Sequence, residues 1–425
     1  MSVLDEASLV LIPSGYKSGK LYSVVPSDGS GDLDFSRSTT ATRVNESGLI
    51  ETVGINVPRI DFTGGGCGKA LIEPQKTNLL KYSKDFSNAN WIKYGSTIID
   101  NSTTSPDGYV NASKMSETAT LGIHTISSSA VSATGAYTAT VFFKKGTRQY
   151  FSIKLLLGSG WYTQVFDAVG LVTGSSNENG LTSLSSEIVS VGNGWVRASV
   201  SATSATSGTA YVLPSLSDSA TPTFNPSNYN PSYTGSTSEY GYFWGAQLEQ
   251  GSYPTSYIPT AGTSVTRAQD LSVTTGLSDQ IGSDEGLILL DAKAFINGGS
   301  NRVFTIGDGT YQNYISMFYH NSANRFDTLA VKSGSILAVK NLFSLTHSDR
   351  NIIAIRYKTD SYDLWVNGAS QGIVTGMGAF FAANLLTNVQ FTNTIGSSPM
   401  QGKVNEMLLM KTYPTDIQMA ELTTL

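Results

Sequence analysis

The stretch that most limits what this chain can become is residues 239–270, EYGYFWGAQLEQGSYPTSYIPTAGTSVTRAQD. Its first half alternates with the two-residue period of a strand. The alternation predicts Tyr240, Tyr242, Trp244, Ala246 and Leu248 on one side, heavy enough to close a hydrophobic core. Gly241, Phe243, Gly245, Gln247 and Glu249 fall on the other. Gly251, Pro254, Pro259 and Gly262 then interrupt regular structure. The stretch reads as the last strand of one β-domain followed by a strut to the next.

Strand-like segments recur on both sides of it. AYTATVFFKKG, YFSIKLLLG, WYTQVFDAVG, EIVSVGNGWVRASVSA and TAYVLPSLS precede it; GLILLDAKAF, YISMFYHN, NIIAIRYK, YDLWVNGASQGI and GKVNEMLLMK follow. Helical periodicity is almost absent, so the predicted class is all-β: two tandem jelly-roll or β-sandwich domains after an extended, β-rich N-terminal segment. The boundaries fall at 1–77 for the leader, 78–270 for the central domain, 271–283 for a linker and 284–425 for the closing domain. Within the leader, TTATRV and LIETV flank the turn Asn45-Glu46-Ser47-Gly48 as a hairpin. The leader has no long apolar run and is expected to gain stability from neighbouring domains or partner subunits. LSVTTGLSDQIGS has the composition of an exposed connection, which predicts that residues 284–425 fold alone. PTDIQMAELTTL predicts a short helix capped by Thr415 and carrying Ile417, Ala420 and Leu422.

Composition narrows the function classes. Charged residues make up 14% of the 425, the net charge is -5, and no basic cluster exceeds Lys144-Lys145, so nucleic acid is not an expected partner. Residues 364–401 are uncharged but too rich in Gly, Asn, Thr and Gln to span a bilayer, and membrane insertion is not expected. The opening MSVLDEASLVLIP carries Asp5 and Glu6 where a signal peptide needs basic residues. Cys67 is the only cysteine, which rules out an intrachain disulfide, and with no histidine near it in sequence it reads as a bystander thiol. Asp28, Asp32 and Asp34 lack EF-hand spacing and read as a solvated turn. Gly64-Gly65-Gly66-Cys67-Gly68 lacks the Lys-Ser/Thr partner of a phosphate loop. His124, His320 and His347 show no ligand spacing, and His124 reads as structural. No metal or cofactor is expected.

A glycosidase needs two carboxylates facing each other across the scissile bond. Asp360 with Asp363, Glu249 and Glu406 are the nearest acidic residues to such a pattern, and each reads more simply as a solvated or turn residue, so no catalysis is expected. Sugar binding needs instead an aromatic platform with a few polar side chains, because a sugar ring offers CH faces and hydroxyl rims. In YDLWVNG, Asp363, Trp365 and Asn367 share the face opposite Leu364 and Val366 and form the expected sugar-contacting set. The competing reading packs Trp365 against a neighbouring strand. The long loop 221–238 offers Tyr229 and Tyr233 as further contacts, or else forms a lid over the core edge. Trp161-Tyr162 and Trp195 are weaker candidates of the same kind, while Trp244 is assigned to the core.

NIIAIRYKTDSYDLWVNG together with GKVNEMLLMKTYPTDIQMAEL resembles the closing half of concanavalin A-like lectin/glucanase domains of the laminin-G type. The central region, from LIEPQKTNLLKYSKDFSNANWIK to GAQLEQGSYPTSYIPTAGTSVTRAQD, resembles the carbohydrate-binding jelly-roll module of phage fibre and adhesin proteins. GYKSGKLYSVVPSDGSGDLDFSRSTTATRVNESGLIE resembles the segment that precedes such modules in tailed-phage proteins, particularly crAss-like gut phages. These resemblances imply a structural virion appendage, a head fibre or a tail fibre/adhesin. It would be a homotrimer, docked on capsid or tail proteins through its N-terminal segment. It would be assembled in the host cytoplasm and displayed on the virion surface, facing bacterial-surface or mucin glycans. A glycan-degrading enzyme of the lectin/glucanase fold is the alternative.

Overall fold

The computed structural model describes residues 3–295, 302–320, 325–346, 349–394 and 398–424. The chain is all-β, with a single α-helix, Asp416–Thr423, among the described residues. His347 lies outside them.

The central domain wraps two sheets around one core. Val131–Lys145 pairs with Tyr240–Gln250 on one side and with Trp195–Ser217 on the other. Trp195–Ser217 is 23 residues long. Its first half pairs with Thr182–Gly192, its second with Tyr150–Leu157, and residues 205–209 between them are exposed. One strand therefore turns the corner from the first sheet to the second. Phe143 and Phe243 from the first sheet meet Phe151 and Phe166 from the second, with ring centroids 4.2–6.3 Å apart.

The alternation expected across Tyr240–Gln250 breaks at Gly245. There the register slips by one residue opposite Thr140 and Phe142, and Gly245 adopts φ +62, a conformation that favours glycine. Such a β-bulge reverses which face each side chain takes. Phe243, Ala246 and Leu248 consequently enter the sandwich core, while Trp244 turns outward into a second cluster with Phe142, Trp195 and Tyr257. Trp244 is buried, as expected, but not in that core.

The closing domain corrects the expected independence of its parts. Its larger sheet runs Ala369–Val374, Ser361–Val366, Asn351–Lys358, Gly286–Ala294, Gly402–Met410, Lys69–Ile72, Ile60–Asp61. Ala7–Leu11 also pairs with Gly402–Met410, covering the part that Lys69–Ile72 leaves free. Leader strands thus close the edge of a sheet more than 300 residues away in sequence. Leu9, Leu11, Leu21, Leu33, Ile60 and Ile72 join the core facing the second sheet, which runs from Val273–Thr274 through Asn388–Gln390 to Ser335–Leu342. Of the two sources of stability expected for the leader, the neighbouring domain of its own chain supplies one, burying these side chains. Residues 271–283 are also packed: Leu277 and Ile281 sit in that core, and Val273–Thr274 is a paired strand.

The joint between leader and strut is a buried ionic knot. Arg59 bonds Glu73 at 2.6 Å and also Asp270; Arg37 bonds Asp270 at 3.0 Å, and Arg267 bonds Glu73 at 2.8 Å. All five side chains are nearly inaccessible. Burial opposes the charge on Glu73, yet Arg267 and Arg59 outweigh it and hold the carboxyl below the ordinary range. The expected leader hairpin is present as Ala41–Val44 with Ile50–Val53, and Asn45 Oδ1 accepts from Leu49 N at 3.0 Å.

At the C-terminus Thr415 caps the helix through a capping box with Gln418, as its sequence predicts. Met419 rather than Ile417 points inward; Ile417 is 81% exposed. Among the described residues no helix is long and apolar enough to cross a membrane.

Candidate functional site

The face holding Asp363 and Trp365 is not displayed to solvent. Trp365 is 7% exposed and packs with Leu287, Leu289, Leu408 and Met419 beneath the terminal helix. Its indole N–H donates to Asp363 Oδ2 at 2.6 Å, and Arg356 Nη2 donates to the same oxygen at 2.8 Å. The helix and Ala7–Leu11 convert the outer face of the sheet into a second core, so Trp365 and Asp363 are structural. Asn367 is exposed, but its work is local. It occupies a two-residue turn with Gly368, both at positive φ, and its Oδ1 accepts from Ile352 N at 2.9 Å. The Asn-Gly pair is a hairpin signal that the sequence displays openly.

The loop 221–238 divides its two tyrosines between the two roles expected of it. Tyr233 is buried; its hydroxyl donates to Glu117 Oε1 at 2.8 Å, and Arg148 pairs with Glu117 at 2.7 Å. Burial and the Glu117 charge push the Tyr233 phenol well above its ordinary range. His124 packs against the Tyr233 ring at 4.7 Å, fully buried, which makes it structural as expected. Tyr233 therefore anchors the loop and is not a contact residue.

Tyr229 does something different. Its ring stacks on Trp161 with centroids 3.8 Å apart and planes 6° from parallel, and both residues are half-buried. The strand pairs Lys154 with Thr163, and Thr163 with Asn177. Because side chains alternate, Trp161, Thr163, Lys154 and Asn177 share the face opposite the core, while Ile153, Leu155, Tyr162 and Phe166 face inward. Each partner fixes the plate. Asn177 Oδ1 accepts from Trp161 Nε1 at 2.8 Å, and Thr163 Oγ1 donates to the Tyr229 carbonyl at 2.9 Å. Tyr229 itself sits at φ +58, held by its N–H to Asn225 O at 2.8 Å.

Lys154 lies at the edge of both rings, 6.0 Å from the Trp161 centroid and 5.7 Å from that of Tyr229, and donates to Asn228 O. Burial pushes its ammonium down to about 8. It has no carboxylate within ion-pairing distance among the described residues. Beside it, Asn230 is fully buried and neither atom of its amide has a hydrogen-bond partner. Trp161 and Tyr229 thus form a rigid, half-buried aromatic plate, a surface that takes the CH face of a sugar, while Lys154 and Asn230 are buried behind the loop.

The acidic residues do not form an open pair. Asp291 lies directly across the strands from Glu406. Asp291 is buried, however, gripped by Arg350 Nε at 2.8 Å and Asn405 Nδ2 at 2.8 Å. Burial and the Asp291 charge raise Glu406 above the ordinary carboxyl range. Glu249 is fully buried and accepts from Thr255 N at 2.8 Å. Asp360 sits in the turn before Ser361–Val366 and accepts from Gly378 N of a separate loop at 2.7 Å. Asp28 is exposed and caps Ser30 at 2.9 Å, Asp34 lies in strand Leu33–Asp34 and pairs with Lys20 at 2.8 Å, and Asp32 is buried and accepts from Ser23 N at 3.0 Å, so the solvated turn expected of all three is found at Asp28 alone. Among the described residues no cluster of His, Cys, Asp and Glu could hold a metal.

No protein-family model matches the chain, and no curated protein does. Solved structures do. The CBM40 of the Ruminococcus gnavus IT-sialidase, bound to alpha2,3 sialyllactose, matches at 14% identity and a TM-score of 0.29, over 33% of this chain and 84% of its own. Domain 4 of a GH43 extracellular arabinanase from Geobacillus stearothermophilus, in complex with arabinotriose, matches at 13% and 0.31, over 41% and 83%. Domains LG4-5 of the mouse laminin alpha1 chain match at 7% and 0.23, over 76% and 88%.

Proposed function

We propose that this chain is a non-catalytic glycan-binding protein of a phage virion surface, a head fibre or tail fibre/adhesin whose sandwiches attach to bacterial-surface or mucin glycans. The observation that supports it is the Trp161–Tyr229 plate, prefixed by Asn177 and Thr163 and bordered by Lys154. The virion setting comes from the resemblance of the leader and central motifs to tailed-phage proteins. In this reading the appendage is a homotrimer, a symmetry carried by that resemblance and not by the leader, whose apolar side chains its own chain buries. The enzymatic alternative would have to use Asp291 with Glu406, and the Arg350 grip on buried Asp291 favours binding over hydrolysis.

A glycan array probed with the full chain tests this, paired with a reducing-sugar assay on whichever glycans bind. The reading requires array binding without release of reducing ends. Release that stops in Glu406→Gln would establish the enzyme instead. Light scattering reports the assembly, with three chains per particle expected.

A further inference from the structure

A cavity lies where leader, central domain and closing domain meet. It has a volume of about 780 Å³, within the range of roughly 300–1,000 Å³ usual for small-molecule sites. Its floor is the outer face of Thr182–Gly192 and the first half of Trp195–Ser217; the strut residues 252–257 form one wall, with Tyr253 and Phe295 5.5 Å apart at its end. Hydroxyls line the floor, among them Ser186, Ser199 and Ser201.

Most of the charges around this cleft are paired. Lys403 binds Asp61 at 2.7 Å, Arg350 binds Asp291, and Glu73 belongs to the ionic knot. Lys69, Lys293 and Arg197 also line it and have no ion-pair partner among the described residues, against exposed Glu187 alone. The chain is acidic overall, yet this cleft presents spare positive charge. Arg197 is the most telling of the three. Its Nη2 donates to Thr255 O at 2.7 Å, its guanidinium lies over the Phe142 ring at 5.4 Å, and its Nε is buried without a hydrogen-bond partner. Burial lowers its pKa despite the charges of Glu249 and Glu73. A desolvated cation costs free energy until an anion meets it.

We infer that this cleft is a second saccharide site, specific for a sugar bearing a carboxylate, which Arg197 receives at the floor while Lys293 guards the rim. The floor hydroxyls meet the sugar's hydroxyls, and the Tyr253–Phe295 wall covers a CH face. Only the choice of a sugar as ligand rests on the glycan-binding reading above; the site shares no residue with the Trp161–Tyr229 plate.

Calorimetric titration of the full chain with trigalacturonic acid, and with neutral maltotriose for comparison, tests the inference. The acidic trisaccharide should bind and the neutral one should not. Binding should weaken as salt rises, because screening acts on the charged contact. Arg197→Gln should weaken it about tenfold or more, the loss of one charge-assisted contact. Trp161→Ala should leave it unchanged. Should Arg197→Gln fail to fold, exposed Lys293→Gln supplies the same test, with binding about threefold weaker and melting temperature unaltered. The inference is overturned by no acidic binding at millimolar ligand, by equal binding of maltotriose, or by unchanged affinity in the variants. Loss of acidic binding in Trp161→Ala alone would also overturn it and would assign the acidic sugar to the plate.

Discussion

Residues 284–425 cut from the rest of the chain should not fold, although the sequence of that segment predicts a self-sufficient sandwich. The cut removes Ala7–Leu11 and Lys69–Ile72, which together cover strand Gly402–Met410. It also removes nine large aliphatic side chains buried against this domain: Leu9, Val10, Leu11, Leu21, Leu33, Ile60, Ile72, Leu277 and Ile281. Burying each stabilises by ~1.5–3 kcal/mol, so the loss is on the order of 14–27 kcal/mol. A domain's whole stability is about 5–15 kcal/mol, which the loss matches or exceeds. Met407, Leu408, Leu409 and Met410 would then lie on a bare sheet edge, an invitation to aggregate. Circular dichroism and urea unfolding of the fragment decide the matter. The structure predicts no cooperative transition and association at micromolar concentration, with recovery of strand signal when residues 1–77 are co-expressed. A fragment that unfolds cooperatively on its own, with the far-ultraviolet spectrum of a β-protein, refutes this reasoning.

Trp365→Ala should cost ~3–5 kcal/mol and lower the melting temperature sharply while leaving glycan binding intact, because the side chain lies under the terminal helix. Glu73→Gln should cost ~3–5 kcal/mol in urea unfolding by leaving buried Arg59 and Arg267 short of an anion. Because the folded Glu73 pKa is depressed, its contribution is present above the ordinary glutamate value and fades as pH falls below it; the variant should show a shallower acid loss of stability than wild type. Lys154 titrates near 8 when folded against 10.5 unfolded, so its cation opposes folding at neutral pH and that penalty vanishes as pH rises through this window. Lys154→Met should therefore gain stability over wild type at pH 7, and the gain should shrink towards pH 10.5, as melting curves at several pH values would show.

Much of the fold is legible in the residues, since period-two alternation names the strands, Asn45 to Gly48 names a hairpin and Thr415 names a helix cap. Three features escape for physical reasons. The bulge at Gly245 reverses a pattern that looks unbroken when read residue by residue, because a glycine in a strand signals either a bulge or nothing. The leader's place in a distant sheet is invisible because its strands are short and their pairing partners lie far along the chain. The knot is hidden because single Arg, Glu and Asp residues at 37, 59, 73, 267 and 270 look like ordinary surface charges until the chain folds them together.

The candidate site was legible in part. Tyr229 and Trp161 stand out as aromatics in a loop and on a strand, and Tyr162 and Phe166 on the inward face imply that Trp161 turns outward. Nothing local says that these two rings stack, because the contact spans 68 residues and depends on the loop's anchor at Tyr233. Asp363, Trp365 and Asn367 misled because a strand has two faces, and the sequence does not reveal that a helix covers the second one.

Glycan binding by this chain rests on the Trp161–Tyr229 plate. Calorimetry of the full chain with the saccharide that binds best on the array measures it directly, comparing wild type with Trp161→Ala and Tyr229→Ala. Truncating an aromatic anchor should remove ~2 kcal/mol of binding free energy, about thirtyfold in affinity, in each variant. The melting temperature should stay within a few degrees, because both rings sit outside the core. Unchanged affinity in both variants, with the fold intact, would contradict the claim that this plate holds the sugar.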